Sequence, residues 1–107
     1  DWWKLEPAAD SESWANIERA ILKNDPHCRG VVLLGLSIPH DQLVQSFGPA
    51  ARANIVKGFA VGRTIFSAAA ERWLKGEIDD EAAIAALANN LAGLVEAWRA
   101  AKKAHTR

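Results

Sequence analysis

Methionine is absent from this sequence of 107 residues, which opens on aspartate. Both features predict a piece excised or processed from a longer protein. Cysteine is nearly absent: Cys28 stands alone, so no internal disulfide can form, and a lone thiol fits a reducing, cytoplasmic compartment. It lies in Asp25-Pro26-His27-Cys28-Arg29-Gly30, which reads as a turn, and nothing adjacent marks it as an activated nucleophile rather than an ordinary thiol. There is no excess of either charge, with 13 basic and 13 acidic side chains and a formal net charge of zero. That excludes nucleic acid as the main partner, because phosphate backbones are held by a clear Lys/Arg surplus. No apolar run approaches the roughly 20 residues of a membrane span. The run over 31–36 has the length of a strand, and the first residues lack a signal-peptide pattern. The three histidines, His27, His40 and His105, have no metal-ligand spacing; they fall in turns or the tail, where solvent exposure is expected.

What is present is a chain that is 50% hydrophobic, enough for one small domain with one core. Short β-rich runs alternate with longer helical patterns. A strand is expected over 2–6, stopped by Pro7, which has no donor for a ladder. A helix follows from 11 or 13 to 23, with Trp14, Ile17 and Ile21 at helical spacing, Asp10 or a serine as N-cap, and Asp25-Pro26 as its stop. The apolar run after Gly30 reads as a strand over 31–36 of the continuous kind a helix-covered parallel sheet requires. A helix over 41–54 follows, with an irregularity at Gly48-Pro49. A strand over 55–61, a helix over 64–75 stopped by Gly76, and a last helix from Asp79 or Asp80 to 104 complete the order. Ile84, Leu87, Leu91, Leu94, Val95 and Trp98 form the expected buried stripe of that last helix. Three βα units joined this closely predict an α/β fold with a parallel sheet and right-handed crossovers. Three strands leave two unpaired edges, so either further strands lie upstream or copies of the chain associate as a homo-oligomer.

Two features could support chemistry. In a strand over 2–6, Trp2, Lys4 and Glu6 share one face while Trp3 and Leu5 share the other. If Trp3 and Leu5 meet the helices, Lys4 points to the interior, where loss of water lowers a lysine's pKa. A free amine can then attack a ketone to form a Schiff base. The plain alternative is that Lys4 pairs with a carboxylate such as Glu6. The second feature is Gly58-Phe59-Ala60-Val61-Gly62-Arg63-Thr64, a strand that ends in Gly-Arg and runs straight into a helix. Glycine admits a ligand to the backbone, helix N-terminal amides attract anions, and a guanidinium fork matches phosphate oxygens. Gly35-Leu36-Ser37 is the neighbouring loop, with Ser37 and backbone amides as donors. The plain alternative here is a tight turn with a surface ion pair. The five tryptophans read as structural, with Trp2 a possible wall of a site.

These residues bring a resemblance. Asp1-Trp2-Trp3-Lys4-Leu5-Glu6-Pro7, the loop over 34–37 and Lys57-Gly58-Phe59-Ala60-Val61-Gly62-Arg63-Thr64-Ile65-Phe66 are similar to the last three strands of class I aldolases of the tagatose-1,6-bisphosphate aldolase kind. The whole chain resembles the C-terminal aldolase-like domain of bacterial myo-inositol catabolism proteins, where that domain follows a sugar kinase, a 5-dehydro-2-deoxygluconokinase. The resemblance implies strands six to eight of a TIM (β/α)8 barrel, with Lys4 as the Schiff-base residue. Gly62 and Arg63 would hold substrate phosphate, with Gly35 and Ser37 in the neighbouring loop. That loop is usually Ser-Ala-Gly in the aldolases and is Gly35-Leu36-Ser37 here. The implied substrate is 2-deoxy-5-keto-gluconate 6-phosphate, cleaved to dihydroxyacetone phosphate and malonate semialdehyde without metal or cofactor. The assisting acid would lie upstream, so the fragment alone is expected to be inactive. The alternative is a non-catalytic phosphosugar-binding or regulatory domain attached to the kinase.

Overall fold

A computed structural model describes residues 1–105. The elements are β1 (Trp2–Leu5), α1 (Ser11–Asn24), β2 (Gly30–Leu33), α2 (His40–Ala51), β3 (Val56–Phe59), α3 (Arg63–Leu74) and α4 (Asp80–His105). Local chemistry sets most of these boundaries. Asp10 caps α1, its carboxylate accepting from the Ser13 amide at 2.7 Å. Asp79 does the same for α4 through the Ala82 amide at 2.8 Å. The end of α3 is a Schellman turn: Gly76, at φ +75°, donates to Trp73, and Glu77 donates back to Arg72, a closure that favours glycine at the left-handed position. α2 passes through Gly48-Pro49 and stops at Ala51, earlier than its sequence pattern implies. Beyond it the chain tightens into turns closed by Arg52 to Pro49, Ala53 to Ala50 and Val56 to Ala53. These turns occupy residues that the sequence assigns to the helix.

The Asp10 cap has a pH signature. Hydrogen bonding to Ser13 holds its carboxyl below the ordinary carboxylate value. A depressed folded-state pKa gives stability that is present above the unfolded value and lost as pH falls through the folded one. Acid titration of α1 helicity should therefore show a step at low pH. Asp10→Asn, which keeps a capping oxygen but cannot titrate, should remove that step; an unchanged acid limb in the Asn variant would contradict it.

The three strands are all parallel, in the order β1-β2-β3. Trp2 pairs with Gly30, Lys4 with Val32 and Leu5 with Leu33. Between β2 and β3 the register slips: Val31 faces Val56 but Val32 faces Gly58. Lys57 is the extra residue of a bulge. The bulge explains why Val56 and Phe59, three positions apart and of opposite parity, both face the helices. Val56 is buried and Phe59 stacks on Phe47 of α2.

The helices gather on one face of the sheet. Trp14 of α1, Leu43 and Phe47 of α2 and Leu94 of α4 close over Val31, Leu33 and Val56 in a single cluster. Strand order without reversal, combined with crossovers of one hand, places successive helices on the same side. The other face holds Trp2, 52% exposed, together with exposed Lys4 and half-buried Val32. Parallel sheets are ordinarily covered on both faces, so this bare face is the unusual feature of the fold. At its lower end Gly30 adopts φ +152°, and a Cβ there would lie 2.5 Å from Lys57 Cγ and 2.8 Å from the Trp2 ring.

The stripe expected along α4 is buried only in part. Leu94 is fully enclosed, but Ile84 is 65% exposed and Leu91 is also exposed. At ~1.5 Å per residue this helix of 26 residues outruns the small sheet, and its first turns lie along α3. The two helices leave an apolar groove lined by Ala69, Trp73, Ile84 and Leu87. Trp73 is therefore half-exposed rather than core, with its indole N–H donating to Asp80 at 2.7 Å.

Candidate functional site

The strands run in one direction, so their C-terminal ends form a common rim. β2 leaves the sheet through Leu34-Gly35-Leu36-Ser37, which closes as a turn with the Ile38 amide donating to Gly35 at 2.9 Å. Leu36 and Ser37 both lie in the left-handed region, at φ 49° and 64°. Two successive non-glycine residues there are strained, and such strain concentrates where a chain is shaped for binding. Gly35 is buried, and a Cβ on it would lie 2.8 Å from Val61 Cγ1 and 3.1 Å from Thr64 Oγ1. Only glycine allows the loop after β2 to sit this close to the segment after β3.

β3 ends at Phe59 and the chain reaches α3 within three residues. Gly62 is the N-cap of α3 and supplies no side-chain acceptor to the first turn; its carbonyl takes the Ile65 and Phe66 amides. α1 and α4 have aspartates at this position, whereas the start of α3 keeps its positive dipole end uncompensated by its own side chain. Arg63 follows, exposed and, among the described residues, without a hydrogen-bond or ion-pair partner. The Thr64 hydroxyl donates to the Ile38 carbonyl at 2.9 Å, joining the two segments. From the far side, Asn90 of α4 donates to the Ile65 carbonyl at 2.8 Å. The fold thus gathers Gly35, Ser37, Gly62 and Arg63 on one rim. His40, exposed at the start of α2, lies beside Gly93 of α4. His27 and His105 are exposed as well.

Lys4 stands on the bare face, level with Val32 and Gly58. It stands two strands away from β3, and Gly62 lies three residues beyond the end of that strand. Lys4 is exposed and, among the described residues, has no partner. The expectation of an enclosed lysine is therefore corrected for this chain: no described element covers the face on which Lys4 stands. Glu6 lies past the strand and lines a groove with Trp3, Leu5 and Ile17, so it is not the pairing carboxylate considered from the sequence. Trp3 faces α1 as expected and ties to its end through an indole N–H to Asp25 at 3.2 Å. The other lysine of the bare face, Lys57, donates to the Asn54 carbonyl at 2.7 Å, at the opposite end of the strands from the rim.

Neither apolar groove, between α3 and α4 or between β1 and α1, includes Lys4 or a rim residue. Among the described residues no three His, Cys, Asp or Glu side chains cluster as a metal site would need. Among the described residues no helix is long and apolar enough to cross a membrane. Thr64 and Asn90 escape a reading of the sequence because their acceptors lie 26 and 25 positions away; the one local sign is a hydroxyl directly after Gly-Arg in a helix's first turn.

Residues 1–102 match a family described as "Uncharacterized protein conserved in bacteria (DUF2090)". No curated protein and no solved structure matches the chain.

Proposed function

The chain belongs to the bacterial DUF2090 family, and from the chemistry of its rim we propose that it forms part of a phosphosugar-binding (β/α)-barrel wall of the class I aldolase kind. The observation that supports this most is the rim itself: a left-handed Leu36-Ser37 turn tied to the start of α3 through Thr64, next to an exposed Arg63 that has no partner among the described residues, on a sheet whose bare face bears Lys4. A sheet with helices on one side only is what a segment of a barrel wall looks like, and barrels bind ligands at the C-terminal ends of their strands. In this reading Arg63, the amides around Gly62 and the Gly35–Ser37 loop hold the phosphate of a keto-sugar acid. Strands closing over the bare face exclude water from Lys4, whose free amine condenses with the substrate ketone. The protonated imine then withdraws electrons from the bond to be broken. The family resemblance adds a cytoplasmic setting in inositol catabolism and 2-deoxy-5-keto-gluconate 6-phosphate as substrate.

One observation favours a second reading. Lys4 is exposed in this chain, and no described element closes over it. A domain that binds phosphosugar without turning it over would need only the rim. Both readings require Arg63. Arg63→Ala should weaken phosphosugar binding about tenfold or more, the scale of one charge-assisted contact, with the melting temperature unchanged because the side chain is exposed. Calorimetric titration measures this, and an unaltered affinity would overturn the phosphate rim.

A further inference from the structure

We infer that Thr64 is a positioning residue that sets the spacing between the Leu36-Ser37 loop and the Gly62-Arg63 turn; the inference rests on the phosphate-rim reading above. Thr64 sits in the first turn of α3, one residue after Arg63, and its Oγ1 donates at 2.9 Å to the carbonyl of Ile38, across 26 positions of sequence. A threonine hydroxyl has one proton. Given to Ile38, that proton cannot also be given to an anion, so Thr64 acts on a ligand through the loop and not by touching it.

The geometry around the bond shows why it matters. Gly35 leaves room for Val61 and for Thr64, whose Oγ1 would lie 3.1 Å from a Cβ there. The hydroxyl is therefore wedged beside the first residue of the loop while bonded to its last. Between those two points lie Leu36 and Ser37, both left-handed. Non-glycine residues leave that region unless their surroundings over-determine it, and Thr64 bonds one end of the pair while standing beside the other. The contact has a fixed base, because Asn90 of α4 holds the next carbonyl of α3, Ile65, at 2.8 Å. Without the hydroxyl, Ser37 and Arg63 remain on the rim but lose their fixed separation, and a ligand spanning them must restore it on binding.

The test uses the full chain, inorganic phosphate as titrant and backbone amide spectra of Ser37, Ile38 and Arg63 as the readout. Thr64→Val keeps the side-chain shape and deletes the donor; Thr64→Ser keeps the donor. The Val variant should move the Ser37 and Ile38 signals before any phosphate is added and weaken phosphate binding about fivefold or more, the scale of one hydrogen bond. The Ser variant should restore both. Val behaving as wild type, or Ser behaving as Val, overturns the positioning role. If wild type responds to phosphate, Arg63→Ala abolishes the response and Thr64→Val leaves it intact, the rim stands and this inference alone fails. If wild type shows no phosphate response at millimolar concentrations, the rim reading fails and the inference with it.

Discussion

On the proposed aldolase reading, replacing Lys4 with alanine is expected to reduce carbon–carbon cleavage by roughly 10³-fold or more, the scale on which covalent nucleophiles matter, with phosphosugar affinity nearly unchanged. The asymmetry follows from placement. Lys4 lies on the sheet floor, level with Val32 and Gly58, while the binding groups stand on the rim above it. Its removal deletes the electron sink without disturbing the Thr64–Ile38 tie or the Arg63 guanidinium. Lys57 cannot substitute, because its ammonium is turned to Asn54 at the other end of the strands. Lys4→Arg should be as inactive as alanine, since a guanidinium keeps the charge but is never a free amine at neutral pH. Steady-state cleavage together with equilibrium binding separates the two effects. A Lys4→Ala protein that still cleaves would end the Schiff-base reading, and one that loses binding in parallel would make Lys4 a ligand-holding cation.

The second large effect concerns stability. Phe47 is 1% exposed and joins three elements. It stacks on Phe59 of β3 with ring centres 5.4 Å apart and 18° between planes, and meets Trp98 of α4 edge-on, also at 5.4 Å and at 87°. Truncation to alanine should cost about 3–5 kcal/mol from lost burial and the cavity left behind. Losing the aromatic pairs adds about 0.5–1.5 kcal/mol for each. Against a total stability of about 5–15 kcal/mol for a domain of this size, Phe47→Ala should remove a large fraction of the chain's stability. Phe47→Leu, nearer in volume, should cost only about 1.5 kcal/mol. Urea titration followed by tryptophan fluorescence measures both. A wild-type midpoint for the alanine variant would contradict the packing described here.

Much of the architecture was legible because it rests on local signals. Pro7, Asp10, Asp25-Pro26, Gly76 and Asp79 mark element ends by capping and turn chemistry, and the structure uses them. The order of strands and helices followed from alternation alone, and the parallel pairing from the short connections between them. What escaped depends on distant contacts. The Lys57 bulge hides inside an apolar run, since which residue is skipped is decided by Phe59 reaching Phe47. The exposure of Ile84 and Leu91 reflects the length of α4 against the width of the sheet, which periodicity does not reveal. The strand over 31–36 ends early, at Leu33, because Leu36 and Ser37 turn left-handed, a conformation their residue types do not announce. Strand-loop-helix spacing put Gly35 and Ser37 after β2 and Gly62 and Arg63 after β3, and the chain runs so; that they hold a ligand is the proposal. Thr64 was not legible, because its hydroxyl finds its partner only after the two loops have met.

Borohydride reduction of the protein in the presence of dihydroxyacetone phosphate, followed by peptide mass mapping, tests the proposed chemistry most directly. A reduced triose phosphate adduct on Lys4, diminished by Arg63→Ala and absent in Lys4→Ala, is the predicted result. An adduct on another lysine, or no adduct while phosphosugar binding persists, would contradict the Schiff-base reading and leave a rim that binds without cleaving.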